Sequence, residues 1–238
     1  MRIRNQFLAI GLLLAVAVAA RADSPHYFDP APFDPVKLIP PPPSEHSGED
    51  HVELDLLIVL QQMRTPAEIS RCQSEQKLTI DAFQTVLGPW CTSQNLPHAA
   101  KLFVAVAKDS KPILDAVKNH YQRPRPAHED DKVHPSIDDD ASFAYPSGHS
   151  TRGTMYALLL AELFPEHREA LLERGREIGW DRVIAGLHHP SDIVAGRVLG
   201  QALAQALLAD PKFQADFAAM KKELIEAEHH AAEPAASR

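Results

Sequence analysis

Apolar residues in this chain recur mainly at three- and four-residue intervals, the period of helices that bury one face. The exception comes first. Phe7 to Ala20 is almost unbroken apolar sequence behind Arg2 and Arg4, and Ala20-Arg21-Ala22 follows as a small-x-small site. A charged start, a short apolar core and a small-residue site make up a secretory signal peptide. The run is shorter than the roughly 20 residues that cross a bilayer, so residues 1–22 read as a cleaved leader. Residues 23–48 lose the period. Pro40-Pro41-Pro42-Pro43 cannot be helical and reads as extended polyproline, an irregular arm lying over the domain.

The helical period begins near residue 49. His51 to Met63 is rich in leucine and valine, and Thr65-Pro66-Ala67-Glu68 has the form of a cap, a first-turn proline and a first-turn acid. Leu96-Pro97 opens another helix, with Leu102, Phe103 and Val106 on one face. Asp109-Ser110 reads as its break, and Pro112 as the restart of a helix to about Asn119. Residues 122–145, with Pro124, Pro126 and Pro135 inside them and Pro146 at their end, read as a long loop, a kind of segment that usually carries function. Helices follow over 149–163, 166–186, 191–208 and 211–226, and residues 229–238 read as a disordered tail. Neither a period-two strand nor a dinucleotide glycine fingerprint nor an internal repeat stands out. The expected fold is all-α: a single-domain helical bundle over 49–228 with the proline-rich arm in front.

Composition narrows the function. Apolar residues make up 45% of the chain, enough to fold. Acidic residues outnumber basic ones 32 to 24, without a basic stripe, which argues against a nucleic-acid partner. After the leader no segment is long and apolar enough for stable membrane insertion. Cys72 and Cys91 are the two cysteines; an even count in an exported chain suggests one disulfide, with two buried free thiols as the alternative. The acidic runs Glu129-Asp130-Asp131 and Asp138-Asp139-Asp140 read as solvated loop, with a bound divalent cation the less favoured alternative.

Charges stand where a packed helical protein avoids them. Arg182 ends the stripe Leu171, Gly175, Ile178, so its guanidinium needs a buried anion, structural or bound. Lys118 shares a face with Leu114 and Tyr121, while Arg125 lies between two prolines and offers the planar donor fork that suits phosphate oxygens. Pro146-Ser147-Gly148-His149 precedes a helix whose first amides point outward, an anion-binding arrangement or an ordinary cap. His188 falls in a helix break, and Asp192, in the first turn of the next helix, is placed to accept from one of its nitrogens and leave the other as a nucleophile. A metal pair at His188-His189 is discounted, because a third ligand is missing at standard spacing.

The order of these pieces is specific: lysine, six residues, Arg-Pro; then Pro-Ser-Gly-His; then arginine, five residues, histidine, three residues, aspartate. It resembles the type 2 phosphatidic acid phosphatase superfamily, which includes acid phosphatases, lipid phosphatases and vanadium haloperoxidases. With the leader, the Leu38-Ile39 polyproline arm and Tyr145 ahead of the second motif, the chain is most similar to bacterial class A non-specific acid phosphatases. The resemblance runs from about Pro40 to Gly200. It implies that Lys118, Arg125 and Arg182 hold phosphate oxygens, with hydrogen bonds from Ser147 and Gly148. It also implies that His188 becomes a phosphohistidine, that His149 protonates the leaving group and activates water, and that Asp192 orients His188. It implies no metal and no cofactor, small phosphate monoesters as substrates, and secretion, into the periplasm in a Gram-negative source. Homo-oligomerisation is left open. The other readings are a vanadate-dependent haloperoxidase and a non-catalytic phosphate-binding protein. One departure is Asp181, which stands where the family has serine. A helical neighbour is turned about 100° away, so Asp181 need not pair with Arg182.

Overall fold

The computed structural model describes residues 27–28, 34–138 and 141–232. The signal-peptide reading of 1–22, most of the arm before residue 34 and the tail beyond 232 lie outside the described residues. Ten α-helices are described: α1 (Pro35–Leu38), α2 (Gly48–Met63), α3 (Pro66–Ser74), α4 (Gln84–Leu87), α5 (Pro97–Tyr121), α6 (Pro126–Glu129), α7 (Gly148–Leu163), α8 (Arg168–Ile184), α9 (Pro190–Ala209) and α10 (Pro211–Ala232). Among the described residues there is no strand, and the fold is all-α.

The buried centre of the bundle is α7. Its side chains are covered almost all round, from Ser150 and Thr151 through Met155 and Tyr156 to Leu163. It packs most extensively on α8 and α9. The approach to each neighbour is set by small residues. A Cβ added at Gly175 of α8 would sit 2.7 Å from the Ala157 Cβ, and one at Gly200 of α9 would sit 2.3 Å from the Thr151 carbonyl oxygen. Any larger residue there would force the helices apart. The third face of α7 meets α5, where the Phe103 and Tyr156 rings stack at 4.1 Å and the Tyr156 hydroxyl donates to the Phe103 carbonyl at 2.9 Å. Phe213, Phe217, Met220 and Leu224 of α10 close the main core.

Local signals explain the helix starts. Ser47 caps α2 by accepting from the Asp50 amide at 3.2 Å, and Thr65 and Glu68 form a reciprocal capping box on α3. Three expectations are corrected. The break at Asp109-Ser110 does not occur, and α5 runs through Pro112. The polar pair is absorbed: the Ser110 hydroxyl donates back to the Ala107 carbonyl at 2.9 Å, and the Asp109 carboxylate accepts from the Tyr27 amide at 2.6 Å. Helix α10 continues to Ala232, four residues into the segment read as tail. The third correction is the disulfide. Cys72 and Cys91 are free thiols. Cys91 belongs to the main core beside Ile80, whereas Cys72 lies in a small cluster with Ile184, Ala185 and Leu187. Burial pushes their pKa values up to about 11 for Cys72 and about 12 for Cys91, so both stay protonated.

Candidate active site

The site begins at the junction of α8 and α9. Helix α8 closes with the Gly186 amide donating to the Val183 carbonyl and the Leu187 amide to the Arg182 carbonyl, both at 2.9 Å. Gly186 turns at φ +80°, a left-handed conformation suited to glycine. His188 falls in the gap, and Pro190 starts α9. Asp192, in the first turn of α9, accepts through one oxygen, Oδ2, from the His189 amide at 2.9 Å and from the Nδ1 atoms of His188 and His189 at 3.2 Å each.

The partners of His188 fix its tautomer. Nδ1 faces a carboxylate and so carries the proton. Nε2 stands 2.8 Å from Nη1 of Arg125, which only donates, so Nε2 presents a lone pair. Burial, and then the Arg125 charge, push the His188 pKa down to about 3, and the ring is neutral. Asp192 is held well below the usual carboxylate range: burial opposes ionisation, but the His188 and His189 hydrogen bonds overcome it.

His188 opens into a cavity of about 530 Å³ lined also by Lys118, Arg125, Gly148, His149 and Arg182. These are the phosphate ligands and acid–base group expected from the sequence, with one exception. Ser147 is fully buried and does not line the cavity; its hydroxyl accepts from the Ser150 amide at 3.3 Å and caps α7. Of the cations, Lys118 donates to the Phe143 carbonyl, and Arg125 to Ser142 and to the Leu187 carbonyl. Arg182 donates to the Cys72 carbonyl at 2.9 Å and lies 3.7 Å from Glu75, and its Nε is buried without a partner. Asp181 does not quench it. That carboxylate is clamped by Arg71 at 2.7 and 2.6 Å.

His149 donates Nε2–H to the Glu75 carbonyl, 2.9 Å away, because a carbonyl only accepts. The proton that titrates is therefore on Nδ1. Burial first, and then Arg182, push the His149 pKa down to about 4. A second cavity of about 490 Å³ shares Gln76, His149 and Arg152 with the first, and is walled by Leu78, Ile80, Phe103 and Tyr156.

Two arginines escaped the sequence reading. Arg152 lines both cavities with a buried, unpartnered Nε; it stands four residues after Gly148, on the same face of α7, a spacing that could have flagged it. Arg123 is buried behind the site and bonds Asp192, Asp50 and Glu53, each at 2.9 Å. It lies two residues before Arg125, but its partners come from α2 and α9, so only the fold reveals it. The cavity wall thus carries Lys111, Lys118, Arg125, Arg152 and Arg182 against Asp115 and Asp138. Such a surplus of cations suits a dianion.

Residues 99–215 match the family described as the PAP2 superfamily. Over 235 residues the chain is 27% identical to an acid phosphatase of Zymomonas mobilis subsp. mobilis, covering 95% of this chain and 89% of that protein. It is 30% identical over 154 residues to a non-specific acid phosphatase of Providencia stuartii, covering 60% of each chain. With a non-specific acid phosphatase of Salmonella typhimurium it shares 44% identity over 81 residues, 34% of this chain and 32% of that one.

Proposed function

We propose, on the premise that this chain belongs to the PAP2 superfamily through residues 99–215, that it is an acid phosphatase working through a phosphohistidine, without a catalytic metal. Phosphoric monoester hydrolysis follows from the family and its acid-phosphatase relatives. The mechanism is our own reading. The observation that carries it is a neutral His188, with its Nε2 lone pair defined by Asp192 and Arg125, in one cation-lined cavity with His149.

The phosphate dianion enters among Lys118, Arg125, Arg152 and Arg182, whose charges offset the one that spreads over the equatorial oxygens during transfer. Binding draws Arg125 from Nε2 onto a phosphate oxygen. Nε2 attacks phosphorus, the P–O bond to the alcohol breaks, and His149 gives its Nδ1 proton to the departing oxygen. Asp192 stabilises the charge that arises on His188. His149, now neutral, takes a proton from water, which attacks the phosphohistidine and releases phosphate. The alcohol departs on the His149 side, where the second, more apolar cavity suits an aromatic or apolar alcohol. A cleaved leader at 1–22 would deliver the enzyme out of the cytoplasm, consistent with the charged-then-apolar start.

The test is turnover of para-nitrophenyl phosphate at acidic pH in excess chelator. The wild type turns over undiminished, and His188→Ala is inactive but folded. Dependence on added metal, or residual turnover in His188→Ala, contradicts the reading.

A further inference from the structure

Behind Asp192 lies a second cluster, none of whose members lines the phosphate cavity. Asp50 of α2, Glu129 at the end of α6 and His189 at the start of α9 each bring a ligand-type atom within 4.8 Å of the others. The His189 side chain is 0% exposed and that of Glu129 5%. His189 Nε2 and Glu129 Oε1 face each other at 3.5 Å, and both atoms are buried with no partner but each other. Adjacent ligands on a tetrahedral ion with bonds of about 2.0–2.2 Å lie roughly 3.4 Å apart. The two atoms are therefore spaced as two ligands of one ion.

Charge points the same way. Asp50, Glu53, Glu129 and Asp192 gather around Arg123, which bonds three of them. Arg123 alone leaves this buried group strongly negative, and a protonated His189 would not neutralise it. Each Asp50 oxygen accepts one hydrogen bond, Oδ1 from Arg123 and Oδ2 from the His46 amide, and each keeps a lone pair. His189 is also braced as a metal ligand should be: its Nδ1–H points to Asp192 Oδ2 at 3.2 Å, which turns Nε2 toward Glu129, and an incoming cation would replace the proton that Nε2 shares with Glu129 in the metal-free protein. The third ligand missing from local sequence spacing comes from α2.

We propose that Asp50, Glu129 and His189 bind one first-row divalent cation of the zinc type. An imidazole with two carboxylates suits such an ion better than magnesium or calcium, which favour all-oxygen sites. The same Asp192 oxygen that braces His189 holds His188, so the cation sits one carboxylate away from the nucleophile. The site does not depend on the phosphatase reading, and its test reads binding rather than turnover.

The full chain, stripped with chelator, is dialysed against zinc chloride, and bound metal is measured with X-ray absorption at the zinc edge. One equivalent is expected in a shell of nitrogen and oxygen without sulfur. Glu129→Gln and His189→Gln should each weaken binding at least ~10-fold, a loss typical even of outer-shell changes. Glu166→Gln, in the separate cluster Glu166, His167, Glu228, should leave it unchanged. Circular dichroism checks folding; if His189→Gln does not fold, Glu129→Gln decides. Failure of the wild type to retain zinc, a sulfur ligand, or unchanged affinity in folded Glu129→Gln overturns the site.

Discussion

His188 and His189 are neighbours in sequence with opposite proton affinities. Burial and Arg125 push His188 down to about 3, whereas at His189 the Asp192 and Glu129 hydrogen bonds outweigh burial and raise the pKa to about 9. The contrast comes from what each ring faces, and sequence alone does not show it. Spacing did place His188, His149, Asp192, Lys118, Arg125, Gly148 and Arg182 at one site, since charges on apolar stripes need a reason. In the fold the Ser147 hydroxyl caps α7, because capping and anion binding use the same residue at the same position. The role proposed for His149 has a direct consequence. His149→Ala should lose little turnover on para-nitrophenyl phosphate and far more, about 10²–10⁴-fold, on alkyl phosphates whose leaving oxygen needs the proton. Steady-state rates over a series of leaving groups measure this, and equal losses across the series would reduce His149 to positioning phosphate.

At the scale of elements, the helices were legible where caps and periods agreed, as at Thr65 with Pro66 and Glu68. Asp109-Ser110 misled because local polarity suggests a break, while in the fold a distant amide, that of Tyr27, takes up the aspartate. The cysteines misled because pairing depends on which cluster each helix enters, information that a count of two does not contain. Glycines on α8 and α9 set how closely α7 is gripped, and α8 and α9 between them carry Arg182 and Asp192. Gly200→Ala adds a methyl against a backbone oxygen that cannot turn aside. Overpacking typically costs about 1–3 kcal/mol, partly offset by a helix-propensity gain of ~1 kcal/mol. A net loss is expected from the denaturant midpoint. Gly48→Ala, which meets nothing within 4 Å, should show none.

For the whole molecule, the neutral, half-buried His149 couples folding to pH. Its pKa is about 4 in the folded state and ordinary, ~6.5, when unfolded, so the unfolded chain binds more protons between those values. Stability from this group is intact above ~6.5 and falls with pH down to about 4, by on the order of 3 kcal/mol. Melting temperatures should drop across that window and drop less in His149→Gln. Bound phosphate, a dianion beside the ring, favours the imidazolium and should flatten the same slope. A slope unchanged by both the variant and phosphate would separate His149 from the anion site. The central claim is that phosphorus passes through Nε2 of His188. Rapid acid-free quenching of the enzyme with a labelled phosphate monoester, followed by peptide mapping, tests it most directly. The label should appear on the peptide carrying His188, be stable to base and labile to acid, and vanish in His188→Ala. Label on another residue, or full turnover without a phosphoenzyme in rapid-quench samples, contradicts the account.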